Sequence, residues 1–177
     1  MKRTLTYISL LLFVGLWPSL TIRAELVTHD FHADYGTTVI YSSGNKVATT
    51  DLITYTCSGT NAQFYLDLTY GTTIALNLPS STSKAVTDPA ITRLNRIQLQ
   101  HYPDNAKCEN LKIDVSTDGS TWVDKSGDAT YSKGGVDLPL ATGDYYVRFR
   151  NTTSSGVSIL RIMYYIGPCH CLRVVSE

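Results

Sequence analysis

The chain has 177 residues, 43% of them hydrophobic, and its 15 basic side chains are balanced by 15 acidic ones. Phosphate-backbone binding needs clustered Lys and Arg, so a neutral chain without basic runs argues against nucleic acid as a partner. The length fits one domain that can bury its core without metal or disulfide staples.

Residues 1–24 read as a signal peptide. Lys2 and Arg3 precede an uncharged, mostly apolar run from Leu5 to Trp17, followed by Pro18 and Ile22-Arg23-Ala24, which is the charged, apolar and small-residue order of an export signal. The run is shorter than the roughly 20 apolar residues of a bilayer span, and Pro18 interrupts it. Cleavage after Ala24 is expected, with no membrane span left and a secreted, periplasmic or cell-surface location. Loss of Lys2, Arg3 and Arg23 leaves the acidic residues in slight excess.

Residues 25–168 then form a single module, and residues 169–177 a C-terminal tail. Gly, Pro and Ser/Thr/Asn/Asp clusters punctuate the module at short intervals, and the stretches between them are β-branched, aromatic or alternating. Strands are expected at Thr37–Tyr41, Leu52–Cys57, Gln63–Leu68, Thr73–Leu78, Ile97–Tyr102, Leu111–Ser116, Thr121–Asp124, Gly135–Leu138, Tyr145–Arg150 and Val157–Ile166. Three of them alternate clearly: Ile97, Leu99 and His101 oppose Gln98, Gln100 and Tyr102; Leu111, Ile113 and Val115 oppose Lys112, Asp114 and Ser116; Tyr145, Val147 and Phe149 oppose Tyr146, Arg148 and Arg150. One apolar and one polar face per strand is the pattern of an all-β, antiparallel two-sheet sandwich, and the strand number suits the jelly-roll type. No amphipathic helix is apparent.

Val115-Ser116-Thr117-Asp118-Gly119-Ser120-Thr121-Trp122 joins two of these strands through an Asp-Gly dipeptide, which supplies the positive φ of a tight hairpin. The string resembles the Ser-x-Asp-Gly-x-x-Trp hairpin of galactose-binding-like jelly rolls and carbohydrate-binding modules. A wider order of segments, from Ile53-Thr54-Tyr55-Thr56-Cys57-Ser58-Gly59 through Ala75-Leu76-Asn77-Leu78-Pro79 to Gly143-Asp144-Tyr145-Tyr146-Val147-Arg148, resembles accessory β-sandwich modules of secreted Bacteroidetes pectate-lyase-like proteins. That likeness spans residues 50–165. It implies a non-catalytic carbohydrate-binding module, with the detached front of a polysaccharide lyase or a structural, protein-binding domain of the cell envelope as alternatives.

No Gly-x-Ser-x-Gly elbow or His-Glu-x-x-His string occurs, and Asp114 and Asp118 read as turn chemistry, so no enzyme, metal site or cofactor is expected. Cys169-His170-Cys171 supplies only one edge of a zinc site, and the oxygen-rich stretch Asp30 to Asp34 lacks an EF-hand spacing. Among Cys57, Cys108, Cys169 and Cys171, a Cys57–Cys108 disulfide and a pair of buried free thiols both fit. Asn151-Thr152-Thr153 matches a glycosylation acceptor but reads as a turn. Sugar binding needs an aromatic platform and planar polar groups. Tyr102, Tyr131, Tyr146, Arg148 and Arg150 are the candidate ligand-binding residues; Tyr146, Arg148 and Arg150 share a strand face, and two guanidinium groups favour an acidic polysaccharide. Trp122, the only tryptophan after the signal segment, is expected in the core.

Overall fold

The computed structural model describes residues 25–30, 46–48, 53–60, 62–67, 73–102 and 107–167. Twelve strands lie among them: β1 Glu25–Asp30, β2 Lys46–Ala48, β3 Thr54–Ser58, β4 Gln63–Asp67, β5 Thr73–Leu78, β6 Lys84–Asp88, β7 Ile91–Tyr102, β8 Leu111–Ser116, β9 Val123–Asp124, β10 Thr130–Ser132, β11 Gly135–Asn151 and β12 Val157–Ile166. A single 3-10 turn, Ser126–Asp128, accompanies them, and no α-helix occurs among the described residues. All the pairings are antiparallel. The expected all-β class therefore holds, in a sheet that curls like half a barrel.

The curl comes from β11. Its first part pairs with β7 and β10, while from Tyr146 onward it pairs with β8 and β6. The main path of the sheet runs β2-β3-β6-β11-β7-β12-β5-β4. Two separate strands were expected here, Gly135–Leu138 and Tyr145–Arg150, with a turn between. The structure instead carries the chain through as one strand with register shifts between Pro139 and Gly143 and between Gly143 and Tyr145. Pro and Gly in a strand interior mark bulges as readily as turns, and a bulge bends the strand and strengthens its twist. A Cβ on Gly143 would stand 2.9 Å from the Tyr145 ring, so a larger residue there would push that ring aside. Opposite the bulge, Arg93 adopts φ 55°. Its N–H donates to Asp144 Oδ1 at 2.8 Å and its Nη1 to the Gly167 carbonyl at 2.7 Å, which hold this rarely populated conformation.

Alternation fills the interior. Ile97 and Leu99 of β7, Leu111 and Ile113 of β8, Val147 and Phe149 of β11, and Ile162 and Tyr164 of β12 join one buried cluster. Within it, the Tyr55 and Tyr164 hydroxyls share a hydrogen bond of 2.9 Å, which satisfies two polar ends that burial would otherwise penalise. Cys57 and Cys108 are buried free thiols, so the expected Cys57–Cys108 disulfide is not formed and its alternative holds. Asn151 is buried too. Its Nδ2 donates to the Leu78 and Ser155 carbonyls at 2.8 and 2.7 Å, and its Oδ1 accepts the Thr153 N–H at 3.0 Å, so the Asn-Thr-Thr string is a turn clasp.

β1, β2, β6 and β10 were not expected as strands. Of the expected elements, Thr37–Tyr41 falls outside the described residues, as do Asp30 to Asp34 beyond β1, Cys169, His170, Cys171 and residues 1–24. No helix among the described residues is long and apolar enough to cross a membrane.

Candidate ligand face on β6, β8 and β11

The second part of β11 lies between β6 and β8, and the register sets its side chains in rows. Arg150 stands opposite Lys84 on one side and Lys112 on the other; Arg148 stands opposite Val86 and Asp114; Tyr146 stands opposite Ser116. β9 extends the second row by placing Asp124 opposite Asp114. With Val147 and Phe149 buried on the inner side, strand alternation sends Tyr146, Arg148 and Arg150 outward together, as expected.

Asp114 is the pivot of this face. The sequence pattern assigns it and Ser116 to an exposed polar face, yet their relative exposures are 1% and 3%. The reason is the cover above Asp114: Arg148 Nε and Arg150 Nε both donate to its Oδ2, at 2.7 and 2.8 Å. Asp114 Oδ1 has no hydrogen-bond partner among the described residues. Arg150 also donates Nη2 to Asp124 Oδ2 at 2.7 Å. These hydrogen bonds, with Asp114 first, hold Arg150 above the usual guanidinium range. At Asp124, burial pushes the carboxyl upward, but hydrogen bonds from Ser126 and the charges of Arg150 and Lys112 outweigh it and leave it lowered.

Arg148 is held differently. Its guanidinium carbon sits 4.4 Å from the centroid of the Trp122 ring, a cation–π stack. Trp122 is accordingly half-buried and stands outside the core cluster, a correction to its expected core placement. The indole follows the hairpin loop and lies on the outer side, where an arginine covers it. Tyr146 leans on the same hairpin: a Cβ on Gly119 would lie 3.4 Å from its ring.

Tyr131 sits at the Lys112 end. Its hydroxyl donates to the Leu111 carbonyl at 2.8 Å, Lys112 Nζ lies 5.8 Å from its ring centroid, and burial raises its hydroxyl above the ordinary tyrosine value. Tyr102 stands elsewhere, on β7 opposite Ser158 of β12. The structure thus gathers Tyr146, Arg148 and Arg150, places Tyr131 beside them and leaves Tyr102 apart. Lys84, Lys112, Asp114 and Asp124 belong to the same face but escaped the sequence reading, because only cross-strand register reveals them.

The hairpin itself is longer than the Asp-Gly dipeptide suggests. Gly119 takes the expected positive φ of 73°, while Asp118 Oδ1 accepts from Ser116 Oγ, Ser120 N–H and Thr121 N–H at 2.8, 2.8 and 2.7 Å. The backbone N–H groups of Thr121 and Ser120 and the Ser116 hydroxyl together hold the Asp118 carboxyl well below the usual range. Beside this hairpin, Val115, Ser116, Asp118, Thr121, Val123 and Tyr145 line a hollow of about 470 Å³.

A second charged group on the sheet shows what balance looks like. Arg96 and Asp137 form a two-bond pair at 2.8 and 2.6 Å, and the Arg96 guanidinium carbon lies 5.2 Å from the Tyr165 ring centroid. There one cation meets one anion. On the β6–β11–β8 face, four cations meet the carboxylates of Asp114 and Asp124, with Asp88 on the same side of β6, and neither Lys84 nor Lys112 pairs with a carboxylate of a described residue. No protein-family model and no curated protein matches the chain, so similarity assigns this face no ligand.

Proposed function

We propose that this chain is an exported, non-catalytic carbohydrate-binding module of two-sheet, jelly-roll type, and that its β6–β11–β8 face takes an acidic polysaccharide. The row Lys84, Arg150, Lys112 carries the proposal. Like charges set directly opposite each other on neighbouring strands are destabilising, and strands lie about 4.8 Å apart. Asp114 and Asp124 compensate Arg150 at the centre of the row, which leaves Lys84 and Lys112 on either side of it as the ammonium charges that a bound polyanion would meet. Tyr146 and Trp122 supply aromatic surface on the same face, and the partly exposed arginines supply donors.

Affinity electrophoresis in polygalacturonate, set against a neutral polysaccharide, tests this. The full chain should be retarded only by the acidic polymer, and added salt should relieve the retardation, because exposed charge interactions are screened over a Debye length of about 10 Å at 0.1 M. Lys84→Gln with Lys112→Gln should weaken the retardation. Equal migration in both polymers would exclude an acidic glycan and favour a structural or protein-binding role in the cell envelope.

A further inference from the structure

The two arginines of this face are not equivalent. A guanidinium has five N–H donors in a planar fork. Arg150 spends its Nε on Asp114 and its Nη2 on Asp124, so both a side and an end of its fork are engaged within the protein. Arg148 spends only its Nε, on Asp114, and rests its guanidinium carbon over the Trp122 ring. Its two Nη nitrogens donate to no described residue, and its side chain is 21% exposed.

Two supports thus fix Arg148 without using the edge that recognises anions. The bond from Nε to a carboxylate that is 1% exposed fixes where the guanidinium sits. The indole, 4.4 Å from the guanidinium carbon, supports the group from one side. Arginine side chains ordinarily lose considerable rotamer freedom when they bind a ligand; here that loss has already occurred on folding. Tyr146 lies two residues before Arg148 on the same face and packs beside Gly119 of the hairpin.

The geometry points to the Nη edge of Arg148 as a carboxylate subsite: a preorganised fork, stacked on Trp122 and anchored by Asp114, that takes one uronate carboxylate through two parallel hydrogen bonds. This deepens the proposed function and rests on it for the glycan, while Lys84, Lys112 and Arg150 supply the unspecific attraction. Two coplanar oxygens match a guanidinium fork, whereas an ammonium acts as a point charge. Asp114 is a positioning residue, since it acts through Arg148.

The test uses the full chain and a probe with a single carboxylate. Sodium galacturonate is titrated at constant ionic strength against galactose and against sodium sulfate, while the Trp122 indole N–H and the Arg148 Nε–H are followed by NMR. Galacturonate should move both signals and galactose neither. R148K, which keeps the charge and loses the fork, should weaken galacturonate binding by about tenfold or more, while R150K should weaken it less than about threefold. If both lysine variants bind equally well, or if sulfate moves the signals more than galacturonate does, the subsite is wrong. Electrophoresis in polygalacturonate separates the two proposals. Retardation that R148K leaves unchanged sinks the fork and keeps the module, and a galacturonate response without retardation keeps the fork and sinks the polysaccharide. Silence in both overturns both.

Discussion

Asp114 and Asp137 bear the same carboxylate and face arginines on neighbouring strands, but their surroundings give them different weight. Asp114 is 1% exposed beneath two guanidinium groups, whereas the Asp137 side chain is 37% exposed and meets Arg96 alone. Breaking a buried ion pair leaves charges without compensation, which costs about 3–5 kcal/mol when burial is complete. The arginines over Asp114 keep contact with water, so Asp114→Asn is expected to cost about 1–3 kcal/mol after that discount. Asp137→Asn should cost less than about 1 kcal/mol, the range of exposed pairs. Urea unfolding of the two variants checks the contrast, and equal losses would show that the shared oxygen of Asp114 is no anchor. The sequence told that Tyr146, Arg148 and Arg150 share a face, because alternation is local. It gave no hint that Asp114 lies beneath two of them, since which strand becomes a neighbour is decided by pairing between residues 34 and 36 positions apart. Trp122 shows the same limit: its place after a hairpin suggested burial, but which side of the sheet it would reach depended on where Arg148 came to lie.

At the scale of elements, strands bounded by turn residues were legible and strands without an obvious period were not. β5 and β12 run over Thr73–Leu78 and Val157–Ile166 as read from the sequence, while β6, Lys-Ala-Val-Thr-Asp, is too short and too polar to stand out. β11 was split in two because Pro139 and Gly143 serve a bulge as well as a turn. Glycines at the loops carry the sharper test. Gly59 follows β3 with φ 92°, and a Cβ there would stand 1.9 Å from the Thr82 carbonyl oxygen. That approach is sewn in place by the Thr60 N–H donating to Thr82 Oγ1 at 3.0 Å and by Ser83 Oγ donating to the Thr60 carbonyl at 2.9 Å. Gly119 also has positive φ, but a Cβ there meets only the Tyr146 ring at ordinary contact distance. Gly119→Ala should therefore cost about 1–2 kcal/mol, the left-handed backbone penalty alone. Gly59→Ala should cost clearly more, because backbone must move as well. Chemical denaturation that ranked the two in the reverse order would contradict the close approach at Thr82.

For the molecule as a whole, the same groups set a dome of stability against pH. Asp118, Asp124 and Asp137 all have folded-state carboxyls held below their ordinary values. A lowered folded pKa means that the unfolded chain binds protons first. The stabilisation from these three is therefore complete above about pH 4, the ordinary aspartate value, and is lost as the pH falls further. At the other limb, burial pushes the Cys57 thiol from 9.0 up to about 12, and burial also raises the Tyr164 hydroxyl. Here the unfolded chain releases protons first, so stability is present below about pH 9 and drains away as the pH climbs towards 12. Melting temperatures followed by circular dichroism should thus stay nearly level between about pH 5 and 8 and fall on both sides. Cys57→Ala removes one titrating group from the alkaline limb, so this variant should begin at a lower melting temperature and lose less of it between pH 9 and pH 12 than the parent. Asp118→Asn should flatten the acid limb in the same manner, because the Ser120 and Thr121 N–H groups then meet an amide that does not titrate. A melting temperature that rose on acidification below pH 4, or an alkaline limb identical in the Cys57→Ala variant, would show that these groups do not govern the pH response.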